Sequence, residues 1–311
     1  MTQAHSARLH DVATTAALLS GGARNEAIGW LSPPGASSAG EILQRIGGAQ
    51  LPWVRGSGIF LVTAGARVRA LAGGHRRSGS SAWEVDQLVA PEAAASADAL
   101  DALSGLAAAQ GAHRIFLRLA VESRLLGPAR TAGFMPYTTE CLLLAGSASG
   151  ETSSVTLRLA SRTDRHHLFQ LYNRAVPQNV RAAEAVTLEE WAATRNPIGA
   201  HDPVEFVAEC EGEVVAWIRT EQRGPSATFD ALVDPANLEL SSAVAAAACT
   251  LFAGGTGIRA FVPSYLESFA YELERRGFER GAEFVLLARQ LAKPVGELKP
   301  AKVAEEAAWI T

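Results

Sequence analysis

The sequence contains few of the residues that mark disulfide-rich or metal-binding proteins. Its only cysteines are Cys141, Cys210 and Cys249, which lie far apart along the chain. An odd number of cysteines without CxxC spacing indicates neither a disulfide framework nor a zinc site, so we predict three buried free thiols. The neighbouring His166 and His167 have no further ligand at metal spacing, and the sequence therefore predicts no metal site.

An excess of basic residues and a long apolar run are also missing. The 28 Lys and Arg residues against 32 Asp and Glu residues give a net charge of −4, which argues against a nucleic-acid-binding protein. The most apolar helical run, AVAAAACTLFA, is too short to cross a bilayer. The opening MTQAHSARLHD has no cationic start followed by an apolar core, as a secretory signal has. We therefore expect a soluble cytoplasmic protein with no membrane partner.

The composition is that of a globular protein that can bury a sizeable core. The chain has 311 residues, of which 48% are hydrophobic and 19% charged. The stretch GSASGETSS, residues 146–154, is small and polar and is typical of a linker. A second break, AKPVGELKPAK, follows Leu291. These breaks predict an N-terminal domain (1–148), a C-terminal domain (152–292) and a C-terminal tail (293–311).

The two predicted domains share short phrases in the same order. DQLVAP begins at Asp86 and DALVDP begins at Asp230. Further along, each half has a Gly-Phe pair followed by a glutamate and an apolar strand ending in Leu-Leu-Ala. The matched positions in this second anchor are Gly133, Phe134 and Glu140 in the first half and Gly277, Phe278 and Glu283 in the second. Two anchors in matching order predict two copies of one unit.

Each copy reads as an α/β (α+β) unit, with a mixed, mostly antiparallel sheet flanked by helices. In the second half, VEFVAEC and EVVAWIRT are predicted strands joined as a hairpin. TLEEWAATRN is a predicted helix, since Thr187 and Glu190 have capping-box spacing. In the first half, GIFLVTA and RVRALAGG are predicted to form a hairpin around Gly65. The helix predicted over ARLHDVATTAALLS has no obvious strand before it.

This order, with L-V-x-P ending a central strand and Gly-Phe after the last helix, resembles the GNAT N-acyltransferase superfamily. The resemblance covers nearly all of residues 152–292 and most of residues 50–146. The doubling is similar in layout to mycothiol synthase and other tandem-domain acyltransferases. The resemblance implies that the protein transfers an acyl group from acetyl-CoA or another acyl-CoA to an amine of a small molecule or protein.

The resemblance also implies where the acyl-CoA binds. The strand ending in L-V-x-P separates from the next strand, and the pantetheine arm bonds to the exposed backbone. The following helix holds the pyrophosphate at its N-terminus, and backbone N–H groups at the separation stabilise the developing oxyanion. The implied cofactor-binding residues are Leu88, Val89, Ala90 and Ser96 in the first copy and Leu232, Val233, Asp234, Ser241 and Ser242 in the second.

Candidate catalytic and substrate residues follow from the same resemblance. A carboxylate on the central strand removes a proton from the acceptor amine, and the candidates are Glu84, Asp86 and Asp230. The alternative is that these carboxylates are structural. The region between the first two helices of the second copy selects the acceptor in relatives, so Arg181, Glu184 and Trp191 are candidate substrate residues. The alternative is a helix–loop–helix in which Trp191 anchors the core.

Two departures from the superfamily pattern leave a second function open. The stretches PEAAASADAL and PANLELSSAV stand where the phosphate loop is expected, and neither contains a glycine or a basic residue. The superfamily often has a tyrosine that protonates the leaving sulfur, but Ala129 and Leu273 stand at those positions. A non-catalytic tandem module for binding or assembly is therefore the alternative function. A homodimer is compatible with either function.

Overall fold

The structure is a computed structural model of the whole chain. It describes residues 3–29, 40, 42–43, 46, 56–65, 67–77, 81–148, 150, 152–185, 187–195, 203–236 and 238–291. The predicted C-terminal tail, residues 293–311, lies outside these described residues.

Twelve strands are found in the described part of the chain. In the first half these are β1 (Gln3–Ser6), β2 (Ser57–Ala64), β3 (Arg67–Arg76), β4 (Ala82–Val89), β5 (Arg114–Ala120) and β6 (Met135–Ser147). In the second half these are β7 (Leu157–Leu159), β8 (Val204–Cys210), β9 (Glu213–Arg223), β10 (Ser226–Val233), β11 (Thr256–Pro263) and β12 (Glu279–Gln290).

Eight α-helices are described alongside these strands. The first half has α1 (Asp11–Ser20), α2 (Ala95–Ala109) and α3 (Leu126–Thr131). The second half has α4 (Arg165–Ala175), α5 (Gln178–Glu184), α6 (Leu188–Arg195), α7 (Leu238–Leu251) and α8 (Glu267–Glu274). Short 3₁₀ turns, Arg162–Asp164 and Ser264–Leu266, precede α4 and α8.

The two halves share one continuous sheet, in the order β1-β2-β3-β4-β5-β12-β6-β11-β10-β9-β8-β7. Only β4–β5 and β10–β11 are parallel among these neighbours. The last strand of each half has crossed to the other half: β12 pairs with β5, β6 pairs with β11, and β12 and β6 pair with each other. Each half therefore completes the sheet of the other.

The helices pack on both faces of this sheet. Phe229, Ala231 and Val233 on β10 belong to an apolar core with α7 and α8. Leu232 on the same strand points to the other face, where it packs with residues of α4, α5 and α6. This alternation follows from the two-residue repeat of a strand. It also places Asp230 on the face covered by α4–α6.

Most of the predicted elements are found where the sequence placed them. Both predicted hairpins form, as β2–β3 and β8–β9. The capping box before α6 is confirmed, since Thr187 N–H donates to Glu190 Oε2 and Glu190 N–H donates to Thr187 Oγ1. The strand β1, which pairs with β2, was not predicted. The domain boundaries at residues 148 and 152 stay a prediction.

The prediction of three buried thiols is correct for Cys141 and Cys249 and wrong for Cys210, which is exposed. Cys210 is the last residue of β8, next to the turn at Glu211 and Gly212. This position beside the turn, which the sequence pattern did not show, leaves its side chain in solvent. No helix in the described ranges has the length and apolarity to span a membrane.

Candidate active site

The parallel strands β10 and β11 separate in the second half. Their pairing ends at Asp230 and Phe261. Asp234 N–H donates to Val215 O on β9. The backbone groups of successive residues in a strand point to alternate sides. The N–H and C=O of Ala231, three residues earlier, therefore point toward β11. Continuing the ladder would require an N–H at Pro263, which has none. The chain therefore encodes a gap at this point, and we call it the C-terminal slot.

The C-terminal slot leads to the start of α7. Asp234 stands at its end, and its carboxylate accepts hydrogen bonds from Arg174 Nε at 2.7 Å and from Ala236 N–H at 3.0 Å. Arg174 lies on α4, so a basic residue reaches this loop although the loop sequence has none. Its charge offsets the carboxylate that would otherwise repel a phosphate.

The two serines at the start of α7 do not face a common point. Ser242 Oγ accepts a hydrogen bond from Arg276 Nη2 at 3.1 Å, so this hydroxyl is directed toward the neighbouring helix α8. Ser241 is buried. Their predicted contact with a phosphate stays a prediction.

A corresponding gap opens in the first half, but the chain itself fills it. Pairing of β4 with β5 ends at Val85 and Leu117. Residues 25–28, which we call the inserted segment, lie between the two strands. Asn25 Nδ2 donates to Asp86 O at 2.8 Å, and Leu88 N–H donates to Asn25 Oδ1 at 2.7 Å.

The inserted segment bonds to both sides of the gap. Glu26 N–H donates to Leu88 O on β4, and Ile28 N–H donates to Arg118 O on β5. These are the backbone groups that a pantetheine arm would use under the superfamily resemblance. No comparable segment of the described chain bonds to Ala231 or Val233 across the C-terminal slot.

The other predicted cofactor residues of the first half are also engaged. Arg124 donates to Ala90 O at 2.6 Å and to Pro91 O at 3.1 Å. Ser96 Oγ donates to Ala93 O at 2.6 Å within its own turn. Val89 is buried in an apolar cluster. The chain itself therefore engages the backbone of Leu88, Ala90 and Pro91 in and beside the L-V-x-P phrase.

Replacing Asn25 with alanine should lower the free energy of unfolding by about 2–4 kcal/mol, because it leaves the buried Leu88 N–H and the Asp86 carbonyl without their partner. Urea unfolding measures this change. Asn179→Ala is the matched control, since the exposed Asn179 makes only a 3.4 Å contact to Tyr137 O, and it should change stability by less than about 0.5 kcal/mol. Equal effects of the two substitutions would contradict the role of the inserted segment.

A cavity of about 70 Å³ lies beside the C-terminal slot, at the boundary between the two halves. Ala231, Leu232 and Pro263 of the slot line it directly. The remaining walls carry charged and aromatic side chains from both halves: Arg77, Arg118, Glu140 and Phe261, together with Tyr172, Glu184, Trp191, Trp217, Arg219, Asp230 and Tyr265. An outer groove shares Thr138 and Tyr265 with this cavity.

Two of the predicted catalytic carboxylates are held by arginines. Asp230 accepts from Arg219 Nε at 3.1 Å and from Arg219 Nη2 at 2.6 Å, and the two residues lie opposite each other on β10 and β9. Glu84 accepts from Arg77 Nε at 3.2 Å. Such pairs occupy the lone pairs that a base needs.

The third predicted carboxylate, Asp86, is paired with a histidine instead. His75 Nδ1 lies 3.1 Å from Asp86 Oδ2. Asp86 is on β4 beside the filled gap, and it is not among the residues that line the cavity. The catalytic role of these three residues stays a prediction.

The predicted substrate residues divide between the cavity and its surroundings. Glu184 and Trp191 line the cavity, and Tyr172 Oη donates to Glu184 Oε2 at 3.3 Å. Burial raises the pKa of Glu184 above its usual range. Trp191 is also part of the apolar cluster beneath α4–α6, so it can both line the cavity and anchor the core. Arg181 instead donates to Asn173 Oδ1 at 2.8 Å, outside the cavity lining.

Glu140 and Tyr265 are site residues that the sequence did not single out. Glu140 is only 4% exposed, and burial raises its pKa to about 7, although Arg118 opposes this shift. Burial also raises the pKa of Tyr265 well above its usual value, so its hydroxyl stays protonated. The sole sequence signal was the repeat, which matches Glu140 with Glu283. The repeat assigned no role to Glu140, because its place beside the cavity depends on the strand exchange.

No protein-family model and no curated protein matches the sequence. Solved structures match its fold over 93% of the chain. A GCN5-related N-acetyltransferase from Sphaerobacter thermophilus is 15% identical, with a TM-score of 0.54 and 95% of that chain covered. A tandem GNAT protein from the clavulanic acid biosynthesis pathway is 12% identical, with a TM-score of 0.50 and 98% covered. A Drosophila protein is 13% identical, with a TM-score of 0.50 and 99% covered.

These likenesses, together with the parted strands in each half, show the fold of the chain. The protein has the GNAT fold of acyl-CoA-dependent N-acyltransferases, present as two tandem units that share one sheet. The predicted fold class is confirmed. At 12–15% identity the likeness extends to the fold alone and leaves substrate and activity to be argued from the site.

Proposed function

We propose that this protein is an acyl-CoA-dependent N-acyltransferase whose second half binds the acyl-CoA, with acetyl-CoA as the first donor to test. The first half has a structural role, because the inserted segment occupies its gap. The observation that carries this proposal is the difference between the two gaps. Within the described residues no segment bonds to the backbone edge at Ala231–Val233 across the slot, while the corresponding edge at Leu88 is bonded to residues 25 and 26.

The open edge suits the pantetheine arm of an acyl-CoA. Amide groups of the arm can add to the edge of β10 as a strand would. The pyrophosphate then lies at the start of α7, a helix of 14 residues whose dipole and free N–H groups favour an anion. The ion pair of Arg174 with Asp234 offsets the negative charge of this carboxylate, which would otherwise repel the pyrophosphate.

The thioester end reaches the cavity, because Ala231, Leu232 and Pro263 line both the slot and the cavity. Aromatic walls from Trp191, Trp217 and Tyr265 suit the approach of an ammonium group. The outer groove offers the acceptor a route that does not cross the slot. The small cavity volume favours an acceptor that inserts a slender primary amine.

Tyr265 is a candidate donor to the departing sulfur. It follows β11 by two residues, lines the cavity and remains protonated because burial raises its pKa. It would take the role that the superfamily tyrosine has elsewhere, since Ala129 and Leu273 at those positions are fully buried core residues.

Isothermal titration with acetyl-CoA tests the proposal, and we expect one site per chain. Ala236→Glu places a negative charge at the exposed turn before α7 and should weaken binding about tenfold, from roughly 1.4 kcal/mol of repulsion. Ala94→Glu is the matched control, because it changes an exposed alanine in the corresponding loop of the first half. It should leave the affinity unchanged.

The opposite result, with only Ala94→Glu weakening binding, would assign the acyl-CoA to the first half. Absence of acetyl-CoA and CoA binding by the wild-type protein would favour the alternative of a non-catalytic tandem module. The filled gap of the first half is the observation that favours this alternative, and it does so for that half alone.

A further inference from the structure

Glu140 occupies a distinctive place in the exchanged sheet. It lies on β6, with Pro263 of β11 opposite on one side and Phe284 of β12 opposite on the other. Pro263 has no N–H, so the pairing of β10 with β11 does not continue beyond Phe261 beside the C-terminal slot. Strand exchange therefore brings a carboxylate of the first half next to the reaction site of the second.

The carboxylate of Glu140 has unused capacity to accept a proton. Arg118 Nε lies 2.8 Å from Oε1, yet within the described chain Oε1 has no hydrogen-bond donor in line with it. We take the close approach as an ion pair and not as an aligned hydrogen bond. A buried carboxylate oxygen on the wall of a cavity, with no aligned donor among the described residues, can accept a proton or a hydrogen bond from a molecule bound there.

A second arginine–carboxylate pair in this protein has aligned hydrogen bonds and lies nearer the surface, since the Arg158 side chain is 42% exposed and that of Arg118 is 7% exposed. Asp164 accepts from Arg158 Nη1 at 2.8 Å and from Arg158 Nη2 at 2.7 Å, and also from Ser161 N–H at 2.7 Å. These bonds hold the pKa of Asp164 well below its usual range. Glu140 has the same kind of partner but the opposite shift, because burial outweighs the poorly aligned arginine.

The charged and titratable groups around Glu140 come from several elements. Arg118 on β5 lowers its pKa, while Asp230 on β10 and Glu184 on α5 raise it. Tyr137 on its own strand interacts with it electrostatically, as does Tyr265 after β11.

The other acids of the cavity have donors. Arg219 holds Asp230 through two hydrogen bonds, and Tyr172 donates to Glu184. Glu140 is therefore the carboxylate of this cavity with an oxygen that no described side chain engages by an aligned hydrogen bond.

We propose that Glu140 is the catalytic base of acyl transfer in the second half. This inference rests on the proposed function. Glu140 takes one proton from the ammonium group of the acceptor, and the free amine forms a C–N bond with the thioester carbonyl. The C–S bond breaks and its electron pair stays on sulfur. Tyr265 donates its proton to this thiolate, and the second amine proton restores the Tyr265 hydroxyl. Glu140 then releases its proton to solvent.

The repeat supplies a matched control for this role. Glu283 is the counterpart of Glu140 in the second copy, but it is exposed on β12. Exchange of the strands has buried one glutamate in the cavity and left the other in solvent. Glu283→Gln should therefore leave acyl transfer unchanged, while Glu140→Gln should impair it.

The test measures kcat/KM with acetyl-CoA and two small acceptors. With ethylamine, which is mostly protonated at neutral pH, Glu140→Gln should reduce kcat/KM about 100-fold or more. The wild-type value should rise with pH through a value near 7, and this step should be absent in the variant. With hydroxylamine, which is mostly unprotonated, the loss should be much smaller because no proton must leave before attack.

Titration with acetyl-CoA distinguishes a failure of the proposed function from a failure of the proposed role of Glu140. If the wild-type protein binds no acetyl-CoA, the proposed function fails and this inference falls with it. If acetyl-CoA binds and the wild-type protein acylates ethylamine, but Glu140→Gln keeps activity within threefold of wild type, only the inference is overturned. Should Glu140→Gln fail to fold, Glu140→Asp keeps the charge and should bind acetyl-CoA normally while losing about tenfold in kcat/KM.

Discussion

Replacing Asp230 with alanine is expected to lower the free energy of unfolding by about 3–5 kcal/mol. The reason is that Arg219, whose side chain is 2% exposed, loses the carboxylate that accepts two of its hydrogen bonds. A guanidinium at this depth cannot regain its hydration. Burial already lowers the pKa of Arg219, and the neighbouring Asp230 is the strongest opposing influence. Urea unfolding monitored by circular dichroism gives the change.

Replacing both partners by apolar residues of similar volume is the control for this prediction. The double variant Arg219→Met with Asp230→Leu should recover most of the lost stability, because no buried charge is left without its partner. A purely catalytic Asp230 gives a different pattern, with full stability and lost acyl transfer in Asp230→Ala. That pattern would restore the original prediction that Asp230 is the base.

Stability should also fall as the pH rises from about 4.5 to about 7, because of Glu140. Its pKa is near 4.5 in a solvated chain and about 7 in the folded protein. The folded protein therefore binds more protons than the unfolded chain across this interval, and its free energy of unfolding decreases with pH. Each unit of pKa difference corresponds to about 1.4 kcal/mol, so the loss approaches roughly 3 kcal/mol. Glu184 contributes in the same direction, since burial raises its pKa as well.

Thermal and urea unfolding of wild type and Glu140→Gln across pH 4 to 8 measure this effect. The wild-type stability curve should descend relative to that of the variant between about pH 4.5 and 7 and run parallel to it above that range. Curves that stay parallel throughout would show that Glu140 ionises as a solvated carboxyl does. Such a result would also remove the physical basis for its role as a base.

The two halves illustrate how one sequence phrase can lead to different sites. DQLVAP and DALVDP both end strands that part from their parallel neighbours. In one case residues 25–28 complete the hydrogen bonding, and in the other the edge remains available in the described structure. Buried backbone groups need partners. The chain supplies them in the first half, and we propose that a ligand supplies them in the second.

Several features of the candidate site were within reach of the sequence. The superfamily resemblance gave Asp230 and Leu232, and the region between the first two helices of the second copy gave Glu184 and Trp191, and all four line the cavity. Arg174 and Tyr265 were missed, because neither belongs to a repeated phrase. The inserted segment was missed too, since Asn25 acts on strand residues about 60 positions away.

The amino-acid sequence by itself determined the repeated unit, the order of strands and helices, and the GNAT fold, because periodicity, capping residues and prolines act over short distances. Tertiary structure alone decided which strands β6 and β12 pair with, which gap is filled and which carboxylates form ion pairs with arginines. The apolar ends of β6 and β12, CLLLA and FVLLA, are alike in sequence, yet β6 pairs with β11 and β12 pairs with β5. Pairing between such strands depends on contacts more than 100 residues apart, and the burial of Glu140 follows from that pairing.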